Sequence, residues 1–457
     1  MGDIVGLLAE IVGPDHVVAG DDISDDYSHD ESLTAVPVLP AAVVKPGTTA
    51  EVSEILRVAD DEGVPVVARG SGTGLSGAAV PTPDAVVVSF ERMHAIKELD
   101  SENHVAVVEP GVTLAQLDEA TAAVGLVYPV FPGEASASLG GNVATNAGGM
   151  RAIKYGVTRH QVLGLEAVLA GGQVIRTGGK FVKSSTGYDL TQLIIGSEGT
   201  LAIVTEATLK LYPRPPLAAT VLAPFTTVDE VTRAVPRLVH SGIGPRILEY
   251  VDALVMAGIT GAAGLDLGIP ADVQAKASAY LVVVLESSHE DRLDEDVAAV
   301  GELLSDHGAV DVYVLSPQAG AQLISARERA FFVAKSSGAD DIVDVVVPRA
   351  VIPSFLARVA SFAEEHQSLV TGCGHVGDGN VHLSVFQPDP DRRQRLLDVI
   401  FAAGVAVGGA ITGEHGVGTD KKRYFLELED PVKIALMRRI KSAFDPQGIL
   451  NPGKIFD

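Results

Sequence analysis

Residues 68–77 read ARGSGTGLSG, which puts Gly72, Gly74 and Gly77 in the spacing G-x-G-x-x-G. In a Rossmann unit those glycines join a strand to a helix whose N-terminus holds a pyrophosphate. The neighbouring residues exclude that unit. Thr48 and Glu51 carry a capping-box signature, Val52, Ile55, Leu56 and Ala59 form one apolar face, and Gly63 is a stop signal, so the helix precedes the strand Val64–Ala68. Pro81 and Pro83 forbid a long helix after the loop. What remains is an extended loop. It is either a cradle of backbone N–H groups for a phosphate, with Arg69 adding charge, or a plain surface turn, and the loop alone does not decide.

A second segment, FPGEASASLGGNVATNAGGM over 131–150, strings small and uncharged polar residues between two apolar runs. Small side chains let backbone approach a flat ligand, and Asn142, Thr145 and Asn146 offer donors without charge. A third segment, Ser184 to Leu211, places Gly187, Gly196 and Gly199 before an apolar strand over Leu201–Leu211. Between them, Val105–Val108 reads as a strand, Thr113 and Gln116 as the cap of a helix, and Gly125 as its end. Pro213, Pro215 and Pro216 mark a domain boundary. Beyond it, apolar runs such as Ala279–Leu285 and Asp341–Val347 alternate with amphipathic segments such as Asp291–Leu304, which predicts a second α+β domain with an antiparallel sheet. A last amphipathic segment, Asp430–Phe444, precedes Asn451-Pro452-Gly453.

Charge narrows the ligands. With 59 acidic against 34 basic residues the net charge is −25, so phosphate backbones and anionic lipid headgroups are repelled and nucleic acid is excluded as a partner. Any anionic ligand needs local positive groups. Cys373 is the one cysteine and makes no intramolecular disulfide. The N-terminus lacks a basic n-region, and the uncharged run Val399–Gly413 is too short and glycine-rich to span a bilayer. A cytoplasmic protein is expected, at most peripheral to the inner face of the membrane.

The strongest chemical signal is GHVGDGNVH. His375 and His382 are seven apart, so a continuous strand would send them to opposite faces, and Gly377-Asp378-Gly379-Asn380 must turn the chain. Val381–Phe386 then alternates, with His382, Ser384 and Phe386 on one face. Glu414 and His415 are adjacent in the glycine-flanked loop TGEHGVG. Two imidazoles and a carboxylate are a common divalent-metal set, although histidines near glycines are also found as solvated loop residues. Asp378 reads as an Asx-turn residue and Cys373 as a small buried side chain.

Taken in order, RGSGTGLSGAA, SLGGNVATNAGG, GSEGTLAIVTEATLKL, GHVGDGNVH, TGEHGVG and NPGK resemble the FAD-linked D-2-hydroxyacid dehydrogenases, the family of D-lactate dehydrogenase, D-2-hydroxyglutarate dehydrogenase and the FAD subunit of glycolate oxidase. The resemblance covers nearly the whole chain. It implies an α+β fold of the vanillyl-alcohol oxidase type: an FAD-binding domain of two α/β subdomains over 1–215, a cap domain with an antiparallel sheet over 216–410, and a C-terminal segment, 411–457, returning to the FAD-binding domain. Carried over by position, Arg69, Gly70, Ser71, Gly72, Thr73 and Gly74 would bind the pyrophosphate. Pro132, Gly133, Ser138, Gly141, Asn142, Ala144 and Asn146 would line the flavin, with Gly199, Ile203 and Asn451 completing the pocket. Neither His nor Cys stands in the Arg69 loop to attach the flavin, which implies noncovalent FAD.

The same resemblance assigns His375, His382 and Glu414 to a divalent metal, zinc or manganese, His415 to the base that accepts the hydroxyl proton, and Arg327 to the substrate carboxylate. Without it, Arg327 reads as a helix-surface charge paired with an acid such as Glu328. At two positions the chain departs from the 2-hydroxyglutarate branch, with Ile342 in place of Lys and Ser384 in place of Asn. Unless Lys335 or Arg329 compensates, this favours lactate, glycolate or another monocarboxylate over 2-hydroxyglutarate. A non-redox FAD enzyme of the alkyl-dihydroxyacetonephosphate synthase type would call for a histidine-rich stretch where Glu414 stands. Nicotinamide is not expected without a Rossmann unit, which leaves a quinone, an electron-transfer flavoprotein or partner subunits as electron acceptor, and a homodimer as a possible assembly.

Overall fold

The structure, a computed structural model, describes residues 2–456. Its first sheet has four strands in the order Val17–Ala19, Ala42–Val44, Val86–Ser89, Val66–Arg69. The last three are parallel: helix Thr49–Glu62 carries the chain from Ala42–Val44 to the edge strand Val66–Arg69, and the loop after Arg69 brings it back to Val86–Ser89 between them. Thr48 Oγ1 accepts from the Glu51 N–H at 3.2 Å. The Glu51 carboxylate accepts from the Gly47 N–H at 2.6 Å, one residue earlier than in a full capping box. Gly63, at φ +64°, ends the helix in the left-handed conformation that glycine tolerates best. Val52, Ile55, Leu56 and Ala59 bury the helix against Val44, Val66 and Val86.

A second sheet of five strands runs Ile96–Asp100, Val105–Val108, Ile203–Lys210, Val162–Val168, Val174–Gly178, antiparallel throughout. Helix Leu114–Ala122 has both halves of the Thr113–Gln116 box. The short strand after it, Leu126–Val127, leaves this sheet and pairs with Tyr212–Pro213. The first of the three prolines thus lies in a strand pair, and the chain enters its third sheet at Leu217.

That third sheet has seven antiparallel strands, ordered Tyr313–Leu315, Leu217–Phe225, Ala279–Ser287, Ile247–Asp252, Leu369–Gly374, Asn380–Phe386, Asp341–Val346. Side chains alternate across it. Val343, Val345, Val381, Leu383 and Val385 join Phe355 and Ile400 of the covering helices in one core. The intervening residues, Asp344 and His382 among them, point to the opposite face, where Cys373 and Val251 meet Met256, Ile259, Leu323 and Ala330 of three further helices, Ala253–Ala263, Pro317–Glu328 and Ala330–Ser336. After helix Pro431–Phe444 the chain returns to the first sheet, where Leu450 bridges Val66 in the parallel sense and the Asn451 N–H donates to Val66 O at 2.8 Å. This is the expected vanillyl-alcohol oxidase-type architecture. Among the described residues no helix is long and apolar enough to cross a membrane.

Candidate active site

The Arg69–Gly77 loop contains no helix and folds against the second glycine-rich segment. Ser138 is the junction. It caps helix Leu139–Thr145, and its Oγ accepts from the N–H groups of Gly141 and Ser71, each at 3.3 Å. A Cβ on Gly70 would lie 1.9 Å from that oxygen, so only glycine lets the two segments meet. Together they line a cavity of about 170 Å³ with Gly70 to Gly74, Pro132, Ser138, Gly141, Asn142, Ala144, Gly199 and Asn451. Three residues that line it, Asn142, Asn451 and Asp30, carry buried polar atoms, Nδ2, Oδ1 and Oδ2, with no hydrogen-bond partner among the described residues. Such atoms are costly unless a ligand satisfies them.

Four of the expected residues sit differently. Arg69 turns away from the cavity, donating to His29 O at 2.7 Å and lying over the Tyr27 ring, so it braces the loop. Asn146 adopts φ +54° at the end of its helix, and its side-chain oxygen accepts from the Arg159 N–H at 3.0 Å. Ile203 lines a separate small void behind the cradle, with Gly141 and Gly199. Gly133 lines the second cavity, described below.

The histidine set assembles on the third sheet. Asp344 pairs directly with His382, and His382 with Cys373, in one row of neighbours. His375 follows its strand into a turn in which the Asn380 N–H donates to Asp378 Oδ1 at 3.3 Å, the Asx turn read from the sequence. His375 Nδ1 lies 2.6 Å from Glu249 Oε1, which leaves Nε2 facing Glu414 Oε1 at 3.2 Å. His382 Nδ1 lies 3.5 Å from Asp344 Oδ1, with its Nε2 3.3 Å from the same Glu414 oxygen. Each imidazole thus has a carboxylate behind it and its second nitrogen aimed at one point, the pattern in which outer carboxylates orient metal-binding histidines. Two imidazole nitrogens and a carboxylate oxygen lie within 4.8 Å of one another, a donor set that fits a divalent ion.

Asp344 also builds the loop that carries Glu414. Its Oδ2 accepts from Thr412 Oγ1 at 2.7 Å and from the N–H groups of Gly413, Glu414 and His415 at 3.0, 3.0 and 2.9 Å. Its Oδ1 accepts from Asn380 Nδ2 at 2.7 Å. A nest of N–H groups around a buried anion is what aims two adjacent side chains at one site from irregular backbone.

Burial alone would raise the pKa of Asp344, of Glu249 and of Glu414. Their imidazole neighbours outweigh it, helped at Glu249 by Arg327, and hold all three below the usual carboxylate range. Conversely, burial would depress His375, but Glu249 and Glu414 outweigh it and push its pKa well up. His415 behaves oppositely. Burial holds it below a free imidazole despite the attraction of Asp344, whose Oδ2 is 4.0 Å from Nδ1, too far for a hydrogen bond. His415 Nδ1 has no hydrogen-bond partner among the described residues.

A second cavity, about 420 Å³, opens on the cap side and is lined by His375, His382, Arg327, Ile342 and Ser384. Glu414, His415, Leu75 and Pro132 line both cavities. Arg327 is buried at the end of its helix rather than exposed beside Glu328. Its Nη2 is 2.7 Å from Glu249 Oε2, but neither Nε nor Nη2 has an acceptor in hydrogen-bond geometry among the described residues. Glu249 and Asp344, the carboxylates behind the two imidazoles, were not expected from the sequence. Their signal was a single acid inside an apolar strand run, ILEYV and IVDVVV.

Residues 214–455 match the family described as FAD linked oxidases, C-terminal domain, and residues 40–178 match the FAD binding domain. An uncharacterized FAD-linked oxidoreductase of Mycobacterium tuberculosis is 56% identical over 100% of this chain and 99% of its own. A D-lactate dehydrogenase of Archaeoglobus fulgidus is 38% identical over 94% of this chain and 96% of its own. In fold the chain is similar to a substrate-bound p-cresol methylhydroxylase, with a TM-score of 0.80, 20% identity, and coverage of 100% of this chain and 97% of that one.

Proposed function

The chain belongs to the FAD-linked oxidase family, and from that premise we propose that it oxidises a D-2-hydroxy acid to the 2-oxo acid with FAD and a divalent metal. The observation that carries this reading is the shared wall. The cavity with unsatisfied amide groups and the cavity with Arg327 and the histidines meet at Glu414 and His415. When bound, FAD supplies a hydride acceptor and the divalent ion a Lewis acid for the hydroxyl and carboxylate oxygens.

Residues 1–215 with 411–457 form the FAD-binding part and 216–410 the cap. Gly70 to Gly74 and Ser138 to Ala144 hold the cofactor without a covalent bond. His375, His382 and Glu414 hold the ion, zinc or manganese, with Glu249 and Asp344 fixing the imidazoles. Arg327, which lines the cavity, supplies the positive charge for the substrate carboxylate, and Glu249, 2.7 Å from its Nη2, keeps the guanidinium in place. His415, kept neutral by burial, accepts the hydroxyl proton as the C–H bond breaks.

Anaerobic mixing of the purified protein with D- and L-2-hydroxy acids tests the reaction: the yellow flavin bleaches with D-acids only. A folded protein that stays colourless after incubation with FAD would overturn the reading. Acid denaturation should release free FAD into the supernatant. His375→Ala and His382→Ala should each lose the metal by elemental analysis and lose turnover while keeping the flavin. Retained activity after exhaustive chelation would remove the metal from the reaction.

Gly141 offers a cleaner test of the cradle. It lies within a helix, and a Cβ added there would meet one neighbouring atom, Ser138 Oγ, at 3.1 Å. Gly141→Leu should therefore fold, since replacing a helical glycine tends to help the helix by about 0.5–1 kcal/mol. Its side chain would fill the cavity, so the protein should be isolated without flavin. Yellow Gly141→Leu protein would place the cofactor elsewhere.

A further inference from the structure

The cap-side cavity extends beyond the groups that would hold the reacting end of a substrate. Arg327, the two histidines and Glu414 account for a carboxylate and a hydroxyl; beyond them Leu254, Ile259, Phe331, Val333, Ile342 and Phe386 line it, interrupted by the hydroxyls of Ser337, Thr371 and Ser384. Lactate would present one methyl group to these walls, whose six apolar side chains suit a longer one. The apolar surface continues to the outside. Leu254 is 62% exposed and Leu369, also lining the cavity, is 51% exposed.

The charges exclude the other way of filling the space. Arg327 is the only Lys or Arg lining the cavity among the described residues, and Glu328 lines it as well. A second substrate carboxylate would therefore meet a like charge and no fixed cation. Lys335, nearby in sequence, is committed to Glu31 at 2.7 Å. One carboxylate at one end and apolar walls beyond it describe a ligand with a polar head and an apolar tail.

We propose that the substrate is a 2-hydroxy monocarboxylic acid with an extended aliphatic or aromatic side chain, rather than lactate, glycolate or a dicarboxylic hydroxy acid. This rests on the function proposed above and adds the side chain to it. Gly258 is a determinant of that choice. It lies within helix Ala253–Ala263 and lines the cavity, and a Cβ there would make only ordinary contact, 3.4 Å from Val333 Cγ1. Its missing side chain leaves room for the substrate tail.

Two measurements test this on the flavin-loaded protein. Anaerobic stopped-flow compares flavin reduction by D-lactate, D-2-hydroxyvalerate, D-2-hydroxyhexanoate, D-phenyllactate and D-2-hydroxyglutarate. Titration calorimetry compares the affinities of the matching 2-oxo acids. Each methylene moved out of water should raise the second-order rate constant, and tighten 2-oxo acid binding, by about fourfold, so 2-hydroxyhexanoate should exceed lactate by on the order of 50-fold. Gly258→Leu should reverse the trend, lowering the hexanoate-to-lactate ratio at least tenfold. Rates and affinities that are flat or fall with chain length, or a preference for 2-hydroxyglutarate, would overturn the proposal while the oxidation of hydroxy acids stands. If the 2-oxo acids bind in the expected order but no hydroxy acid reduces the flavin, the tail recognition stands and the proposed reaction fails.

Discussion

His415→Ala should reduce its flavin about 10²–10⁴-fold more slowly than the parent protein, the usual contribution of a positioned general base, while keeping FAD and metal. The expectation rests on which part of the residue each contact uses. The backbone N–H of His415 is bound to Asp344, but its ring makes no hydrogen bond through Nδ1 and stacks on His382 at 5.2 Å. Removing the ring therefore leaves the loop, the neighbouring Glu414 and the donor set in place. It removes the imidazole that lines both cavities and whose pKa is held down by burial, so that it is neutral and able to take a proton. Glu414→Gln is the internal control, since it should lose metal affinity first and rate as a consequence. Stopped-flow bleaching at the parent rate in His415→Ala, with metal still bound, would remove His415 from the proton transfer.

How far the site could be read in advance follows from what each residue's neighbours are. The helix Thr49–Glu62, the capped helix after Thr113 and the turn between His375 and His382 are local: the residues that fix them lie within a few positions, so caps, glycines and alternation suffice. Glu249 and Asp344 are not. Each is an acid in an apolar strand, and whether it faces solvent or the site depends on a sheet order in which strands from 247, 369, 380 and 341 become neighbours. Arg69 and Asn146 show the converse. Their types suit a phosphate and a flavin, yet each finds another partner, His29 O and the Arg159 N–H, that residue type and spacing do not disclose. The family resemblance assigned Arg327 to the substrate carboxylate, but its partner Glu249 comes only from the sheet.

Asp344→Asn should be the most damaging isosteric change in the site. Asp344 is fully buried, and both of its oxygens accept: Oδ1 from Asn380, Oδ2 from Thr412 and three successive backbone N–H groups. An amide has one acceptor and one donor end, so one orientation aims its NH₂ into the N–H nest. The other aims it at Asn380 Nδ2, which can turn its oxygen inward only by giving up its bond to Val345 O at 3.3 Å. The charge is lost in either case, and removing one partner from a buried charged cluster costs about 3–5 kcal/mol. Part of that cost falls on function, because the nest aims Glu414 and the Oδ1 face backs His382. Asp344→Asn should therefore unfold at clearly lower denaturant and bind divalent metal at least tenfold more weakly than the parent, the usual range for losing a carboxylate behind a metal-binding histidine. FAD should stay bound in the fraction that folds, since Asp344 is not among the residues lining the cavity of Gly70 to Gly74 and Ser138 to Ala144. An unchanged denaturation midpoint with unchanged metal content would mean that the TGEHGVG loop holds its shape without the carboxylate.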